Sequence, residues 1–245
     1  MRATITGTGP RLVLVHGWAA SARLMGTLAA EFDAAFECHC IDLPGHGSAA
    51  EGRIDVGLQE MIAETAAYVR GLGEPVVLLG WAMGALVSLA VASKVPVRGL
   101  VCIGTPSGGA EFGPAFEKMA GRLVRDWPRY VRSSVDAITG GNVSPEMHGF
   151  ICSVMQATSP SLARRSLLEV AQADPVAFAG KVAAPALVLH GEADRISPVA
   201  IAATLGAALP HATVKLYPGI GHAPFLESRD ETISDIKQFL EKLDA

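Results

Sequence analysis

The sequence lacks an excess of positive charge, a long apolar run and a recognisable leader segment. Its formal net charge of −4 at pH 7 argues against a general nucleic-acid-binding protein. No apolar run approaches the roughly 20 residues that a membrane-spanning helix requires. The apolar strand that starts at Leu12 leads directly into a loop, without the cleavage region of a signal peptide. We therefore expect a soluble, cytoplasmic protein that binds neither nucleic acid nor a membrane.

Cysteine is also scarce. The chain has Cys38, Cys40, Cys102 and Cys152, and their spacing does not form a metal-ligand cluster. Cys38 and Cys40 alternate along a probable strand, which puts both side chains on one face, a poor position for a mutual disulfide. We expect four reduced core cysteines, and the sequence implies no metal and no organic cofactor.

What the sequence does contain is a regular alternation of apolar strands and helical patterns. With 245 residues, 50% of them hydrophobic, the chain can bury a sizeable core. Repeated strand–helix units imply a mostly parallel, doubly wound sheet covered by helices on both faces, which is an α/β fold. Strands are predicted at 11–15, 36–41, 76–79, 97–104, 185–190 and 213–217. Helices are predicted at 21–31, 58–72, 83–94 and 227–243, with another that Ser197 caps.

The alternation is interrupted once, after the strand at 97–104. Residues 109–182 carry helical patterns and no convincing strand. We therefore predict an α/β-hydrolase-like core formed by residues 1–108 and 183–245, with a helical lid at 109–182 inserted after a central strand.

The turn at 80–84 is the feature around which the rest of the chain is arranged. The apolar run at 76–79 ends in Gly-Trp-Ala-Met-Gly, and helix-forming residues follow at once, which is typical of a buried strand that turns sharply into a helix. Gly80 and Gly84 allow the backbone to fold over the strained position between them. The pattern resembles the nucleophile elbow, Gly-x-Ser-x-Gly, of α/β-hydrolases, but Ala82 stands where the nucleophilic serine belongs.

Two downstream residues could complete a catalytic triad with position 82. In this fold the chain order is nucleophile, acid and histidine. Asp194 follows a predicted strand at the carboxyl edge of the sheet, where open α/β sheets bind ligands, and His222 lies on a loop after the last strand. Each also has a simpler interpretation, because Asp194 could cap the helix near Ser197 and His222 could be an ordinary loop histidine. Together with the elbow and the required order, they predict an acid–base pair facing Ala82.

An oxyanion hole requires two backbone N–H donors near the developing negative charge. Met83, the residue after the nucleophile position, should supply one donor, and Trp18, in the loop after the first predicted strand, should supply the other. The Trp18 side chain could also be a packing residue, and His16 is expected to shape the loop rather than act as a second base. Asp42 and His46 belong to a turn and are assigned no chemistry.

The chain resembles the α/β-hydrolase superfamily over essentially its whole length. Three short motifs indicate a closer resemblance to one family within it. His-Gly-Trp at 16–18, Gly-Trp-Ala-Met-Gly at 80–84 and His-Ala-Pro-Phe at 222–225 are similar to motifs of the pimeloyl-acyl-carrier-protein methyl ester esterases of biotin synthesis. The elbow of that family is Gly-Trp-Ser-x-Gly. The resemblance implies a nucleophile at position 82, Asp194 as the acid and His222 as the base. It also implies an acyl ester substrate carried on an acidic acyl-carrier protein.

The predicted lid has positive charge that could serve such a partner. Residues 109–182 have a net charge of +1, against −5 for the remainder of the chain. Cations recur there at spacings of three and four and would share one helix face: Lys118, Arg122, Arg125, Arg129 and Arg132. Pro128 could divide this run into two segments. The stripe is either a solvated surface or a docking site for an acidic carrier protein, and lid residues such as Phe150 could line an acyl-chain channel or be plain lid core.

Ala82 decides what this chain can do. A methyl group cannot attack a carbonyl, no cysteine lies in the elbow, and Ser88 is nearly two helical turns away. Removing a triad serine costs on the order of 10⁶-fold in turnover, so the chain should be inactive as a serine esterase. Either alanine replaces serine in an otherwise complete esterase, or the chain is a natural ligand-binding protein. The retained elbow glycines, with Asp194 and His222, favour the first explanation.

We therefore predict a monomeric serine carboxylesterase of the pimeloyl-carrier methyl ester type, in a form without its nucleophile. With serine restored, the expected mechanism is ester hydrolysis through an acyl-enzyme. Lactonases, carbon–carbon hydrolases and general carboxylesterases that use the same triad are the alternatives among enzymes.

Overall fold

The computed structural model describes residues 1–50, 52–53, 55–108 and 113–244. Its strands are β1 (Arg2–Thr6), β2 (Arg11–Val15), β3 (Glu37–Asp42), β4 (Val77–Trp81), β5 (Gly99–Ile103), β6 (Ala186–Gly191) and β7 (Ala212–Tyr217). They form one seven-stranded sheet in the order β1-β3-β2-β4-β5-β6-β7. β1 is antiparallel to β3, and all other neighbouring strands are parallel. The predicted α/β-hydrolase fold is confirmed.

The helices of the core connect these strands in the way that the alternating pattern predicts. They are α1 (Ala22–Ala29), α2 (Leu58–Gly71) and α3 (Met83–Ala92) before the long insertion, and α9 (Ala200–Ala208), α10 (Pro224–Glu227) and α11 (Arg229–Asp244) after it. A short 3₁₀ turn spans Gly47–Ala49. The predicted helix at 227–243 corresponds to α11, and α10 is a short additional helix that ends where the backbone leaves the helical conformation at Ser228.

Helices cover both faces of the sheet. On β2, Leu12 and Leu14 pack in the apolar cluster that includes α1 and α11, whereas Val13 and Val15 pack in the cluster that includes α2, α3 and α9. Strands buried on both sides need apolar residues at consecutive positions rather than in alternation. This is why the central strands were recognisable as uninterrupted apolar runs.

Two parts of the sequence prediction were wrong at the level of single elements. It contained no strand at Arg2–Thr6, because this edge strand is mostly exposed and has no apolar periodicity. It also made Ser197 a helix cap, but α9 begins only at Ala200. The Ser197 hydroxyl instead donates to Thr105 O at 2.9 Å and accepts from the N–H of Ser107 at 2.9 Å, which ties together the loops after β5 and β6.

In the described residues, the insertion between β5 and β6 contains helices joined by loops and no strand, and residues 109–112 of the predicted lid lie outside the described residues. It contains α4 (Gly113–Arg125), α5 (Trp127–Thr139), α6 (Pro145–Gln156), α7 (Pro160–Gln172) and α8 (Val176–Ala179). α4 packs on α7 and α5 packs on α6.

The cationic stripe is divided between two helices. Asp126 separates α4 from α5, and its side chain accepts from the N–H of Arg129 at 3.1 Å, so that a new helix begins there. Lys118, Arg122 and Arg125 are exposed on α4, and Arg129 and Arg132 are exposed on α5. The run is therefore divided as the sequence suggested, but at Asp126, and Pro128 lies in the first turn of α5.

Within the described residues, no helix is long and apolar enough to cross a membrane. Cys38, Cys40, Cys102 and Cys152 are all buried and free. Burial raises the pKa of the Cys38 thiol to about 11 and that of the Cys102 thiol to about 12, so these thiols are protonated core groups at neutral pH.

Candidate active site

Ala82 occupies a strained turn between β4 and α3. Its φ of 51° and ψ of −119° lie in a region that residues with a Cβ rarely adopt. Its N–H donates to Ile103 O at 2.9 Å, and its carbonyl accepts from Ala85 N at 2.9 Å, so hydrogen bonds on both sides hold the turn. A Cβ at Gly80 would lie 2.2 Å from the carbonyl oxygen of Gly84, and one at Gly84 would lie 2.1 Å from that of Val15. The two elbow glycines are thus required by close backbone packing.

Asp194 and His222 form a buried pair at the carboxyl edge of the sheet. His222 Nδ1 lies 2.7 Å from Asp194 Oδ2, and the side chains are 3% and 0% exposed. The other carboxylate oxygen, Oδ1, accepts from the N–H groups of Ile196 at 2.7 Å and Ser197 at 3.0 Å. Asp194 therefore shapes its own loop and also holds His222, but it caps no helix, since α9 begins only at Ala200.

The environment of Asp194 favours its charged form. Burial alone would raise the pKa of this carboxyl, but His222, His190 and the N–H of Ser197 hold the pKa well below its usual range. Ionised Asp194 can only accept, so the Nδ1–H of His222 donates the hydrogen bond between them. This leaves Nε2 of His222 with a free lone pair, as a general base requires.

The three sequence motifs meet around the His222 ring. The Trp81 indole N–H donates to the carbonyl of His222 at 3.1 Å. The Trp81 ring lies 5.9 Å from the His222 ring and 5.5 Å from that of Phe225. A Cβ at Gly17 would lie 2.7 Å from the Trp81 ring. Gly17, Trp81 and Phe225 thus recur in the motifs because they pack against one another and position the histidine.

His190 is a site residue that the sequence analysis missed. It is fully buried at the end of β6, four residues before Asp194, and its Nε2 lies 3.2 Å from Asp194 Oδ2 and 3.1 Å from Ser197 O. Two oxygens at this distance mean that Nε2 carries the proton and donates. Nδ1 is buried without a partner among the described residues, which is consistent with its being the unprotonated nitrogen. His190 therefore gives Asp194 Oδ2 a second histidine donor, beside His222.

In an Ala82→Ser protein, His190→Leu is expected to lower kcat about tenfold with little change in KM. The loss reflects one charge-assisted hydrogen bond that helps to hold the carboxylate. Steady-state kinetics would measure it, with His190→Gln as the matched control because its amide N–H can replace the donor. Equal losses of kcat in the two variants would indicate a packing role instead.

His16 and its neighbours build the loop that faces the elbow. His16 Nε2 accepts from the N–H of Leu43 at 3.1 Å, so Nδ1 carries the proton and donates to Gly17 O at 2.8 Å. Burial lowers the pKa of His16, which keeps the ring neutral. Asp42 accepts from the backbone N–H of Ala22 at 2.7 Å and from that of Ser48 at 2.8 Å. These residues have complete structural partners and need no catalytic role.

The backbone N–H groups of Met83 and Trp18 have no acceptor among the described residues. Met83 is the first residue of α3, where backbone N–H groups lack intrahelical partners. The Trp18 indole N–H donates to Ala163 O at 2.8 Å, and its ring meets that of Trp127 edge-on at 5.8 Å. The Trp18 side chain therefore packs against the insertion, while its N–H stays available for a ligand oxygen.

A cavity of about 180 Å³ lies between the elbow and the insertion. Trp18, Ala82, Met83 and His222 line it from the core, and Met119, Tyr130, Ile138 and Leu167 line it from the helices of the insertion. Its walls are mostly apolar, and His222 and the two residues with free N–H groups belong to the core side of the cavity. The arrangement can bind an apolar acyl group and place its carbonyl near His222.

Two groups of predicted site residues lie elsewhere. Phe150 is outside the described cavity lining, and its ring lies 5.5 Å below the Arg23 guanidinium. The exposed cations at 122, 125, 129 and 132 are also outside the lining.

The family follows from a sequence comparison. A family model described as alpha/beta hydrolase matches residues 12–235. The chain belongs to the alpha/beta hydrolase family. This alpha/beta hydrolase is 30% identical over 259 residues to the pimeloyl-[acyl-carrier protein] methyl ester esterase of Stenotrophomonas maltophilia. The matched region covers 99% of this chain and 97% of that protein. It is 29% identical to the protein of the same name from Xanthomonas axonopodis pv. citri, with 98% of each covered.

A solved esterase structure has the same architecture. The esterase RhEst1 from Rhodococcus sp. ECU1013 matches this alpha/beta hydrolase with a TM-score of 0.84 at 26% identity, over 98% of this chain and 94% of that chain.

Proposed function

We propose that this hydrolase has the active site of a serine carboxylesterase for the methyl ester of pimeloyl-acyl-carrier protein in biotin synthesis, without its nucleophile. The observation that carries the proposal is the buried Asp194–His222 pair, whose histidine lines the same cavity as the strained Ala82. A binding site alone does not need an oriented acid–base pair beside a strained turn.

With serine at position 82, each group has a defined task. His222 Nε2 takes the hydroxyl proton as the serine oxygen attacks the ester carbonyl, and Asp194 holds the ring in the required tautomer. The N–H groups of Met83 and Trp18 bind the oxyanion. His222 returns the proton to the departing methanol. A water molecule that the same nitrogen deprotonates then attacks the acyl-enzyme, and His222 returns that proton to the serine oxygen as the acid is released.

The chemistry of the cavity supports an acyl group. Its walls are mostly apolar, and its volume of about 180 Å³ suits the ester end of an acyl chain. The curated relatives are named for the methyl ester of a pimeloyl group on a carrier protein, and the same substrate is proposed here.

The position of the cationic helices supports a carrier-bound substrate. α4 and α5 line the cavity with Met119 and Tyr130, and both helices expose cations on their outer surfaces. Arg122 on α4 is close enough to the Tyr130 hydroxyl to oppose the rise in the pKa of that hydroxyl that burial causes. The predicted docking surface for an acidic carrier therefore adjoins the lid side of the cavity.

A natural ligand-binding protein is the second candidate, and Ala82 itself favours it. The two candidates predict different effects of adding a serine hydroxyl at position 82: turnover for the esterase, and none for the binding protein. The test is to assay the Ala82→Ser protein on the methyl ester of pimeloyl-carrier protein and on a short p-nitrophenyl ester. A higher kcat/KM for the carrier-bound ester than for the p-nitrophenyl ester supports the proposal. The opposite preference supports a general carboxylesterase. A folded Ala82→Ser protein that binds both esters and cleaves neither is a binding protein.

Charge reversal on the lid should separate the two esters. In the Ala82→Ser protein, Arg125→Glu with Arg129→Glu is expected to lower kcat/KM for the carrier-bound ester about tenfold at low salt, because an acidic partner loses electrostatic steering. Turnover of the p-nitrophenyl ester should not change. Initial rates measured at several salt concentrations provide the check, since the effect should shrink as salt screens the charges.

A matched control exists on the opposite edge of the sheet. Lys94 and Lys181 are exposed beyond the carboxyl end of α3, far along that helix from the elbow. Lys94→Glu with Lys181→Glu changes the net charge equally and should leave the carrier reaction unaffected. If both double variants lose the same activity, net charge and not the lid surface governs the reaction.

A further inference from the structure

Arg195 is the one permanently charged residue in the described lining of the cavity. No aspartate or glutamate belongs to that lining, and the other ionisable members are His222 and Tyr130. A negatively charged group that entered the cavity would therefore meet a cation and no opposing carboxylate.

Among the described residues Arg195 has no protein partner, whereas several other arginines are paired. Arg11, Arg53, Arg165 and Arg229 each form an ion pair with a carboxylate. Within the part of the chain that the structure describes, the Arg195 side chain makes no hydrogen bond or ion pair. The neighbouring Asp194 cannot serve it, because both of its oxygens are engaged by backbone N–H groups and histidines.

The backbone that carries Arg195 is held in place at the edge of the cavity. The residue on its amino side, Asp194, accepts from the N–H groups of Ile196 and Ser197 on its carboxyl side. Ser197 in turn donates to Thr105 O at 2.9 Å. The exposed guanidinium therefore extends from a fixed loop, next in sequence to the acid that orients His222.

We propose that Arg195 forms a subsite for an oxyanion at the end of the substrate remote from the scissile ester. A guanidinium matches carboxylate and phosphate oxygens with paired N–H donors. The inference rests on the proposed function, because His222 and the Met83 and Trp18 N–H groups fix where the ester end lies. The preferred substrate is then an acyl ester with an anionic far end. Its charge comes either from the free carboxylate of a dicarboxylic half-ester or from the phosphodiester of a carrier arm.

The chain with Ala82 allows a direct binding test, because it should hold esters without cleaving them. Isothermal titration would measure the Kd values of monomethyl and dimethyl heptanedioate, first with this protein and then with Arg195→Gln. The preference for the half-ester over the diester should fall about threefold in the variant, a size typical of a solvent-exposed ion pair. A second pair, the methyl-pimeloyl thioesters of phosphopantetheine and pantetheine, tests the phosphate source in the same way.

Arg70→Gln, which removes an exposed cation of α2 outside the cavity lining, is the control and should leave both preferences unchanged. Loss of preference in the heptanedioate pair assigns the subsite to a carboxylate, and loss in the thioester pair assigns it to the phosphate. Arg195→Gln with both preferences intact, or with all ligands weakened equally, overturns the subsite but not the esterase. If no ester binds even the parent chain, the proposed function fails and the subsite fails with it.

Discussion

Ala82→Ser is expected to raise ester turnover by about 10⁶-fold over the present chain, the size of the loss that follows from removing a triad serine. The backbone already has the strained conformation that the nucleophile needs, with a φ of 51°. Serine adds one oxygen atom at a residue that lines the cavity together with His222. The gain should therefore appear in kcat without a large change in KM, and steady-state kinetics of both proteins on the same ester would measure it.

Ser88 provides the control for this result. It is the buried serine on α3 whose hydroxyl has no hydrogen-bond partner among the described residues. The double variant Ala82→Ser with Ser88→Ala should remain as active as Ala82→Ser, since Ser88 lies nearly two helical turns from the elbow. Equal activity in the parent and Ala82→Ser, with both proteins folded, would contradict the assignment of position 82.

In the Ala82→Ser protein, Asp194→Asn should reduce kcat by about 10⁴-fold. Asparagine can still accept the N–H groups of Ile196 and Ser197 through its oxygen, so the loop should keep its shape. Its amide N–H₂ would, however, face His222 Nδ1 and force the proton onto Nε2, where it prevents the ring from acting as a base. Loss of activity with nearly normal substrate binding is the expected signature.

A thermal unfolding series provides an independent check on Asp194. Its pKa is lower in the folded protein than in an unfolded chain, so its charge stabilises the fold above the unfolded pKa of about 3.9. This contribution is lost as the pH falls through the folded pKa. The Tm of the parent should therefore exceed that of Asp194→Asn at pH 7, and the difference should shrink in strong acid. A difference that does not depend on pH would mean that the carboxylate charge is not the stabilising feature.

The elbow and the order of acid and histidine could be predicted because each depends on local sequence. Gly80 is required by the approach of Gly84 within the turn, the Gly-x-x-x-Gly spacing marks the turn in the sequence, and Asp194 and His222 each follow a predicted strand. The role of His190 could not be predicted, because a histidine at the end of a strand gives no sign of where its ring points. Only the fold shows that its Nε2 reaches the Asp194 carboxylate.

Arg195 and the edge strand were missed for related reasons. The stretch Arg2–Thr6 forms a strand because β3 offers it a free edge, and its own residues are too polar to indicate one. The sequence contains many arginines, and nothing in it marks Arg195 as the one that lines the cavity. Tertiary contacts decide both cases, and a single sequence does not encode them in a local pattern.

The central claim is that the site lacks only its nucleophile, and reaction with a fluorophosphonate ester tests it most directly. Such a probe bonds to a serine only if a base activates the hydroxyl and donors bind the developing oxyanion. Intact-mass and peptide mass spectrometry should find one adduct on the Ala82→Ser protein, located at residue 82, and none on the parent or on the variant that also carries His222→Ala. A folded Ala82→Ser protein that remains unlabelled at residue 82, or that is labelled equally without His222, would contradict the account.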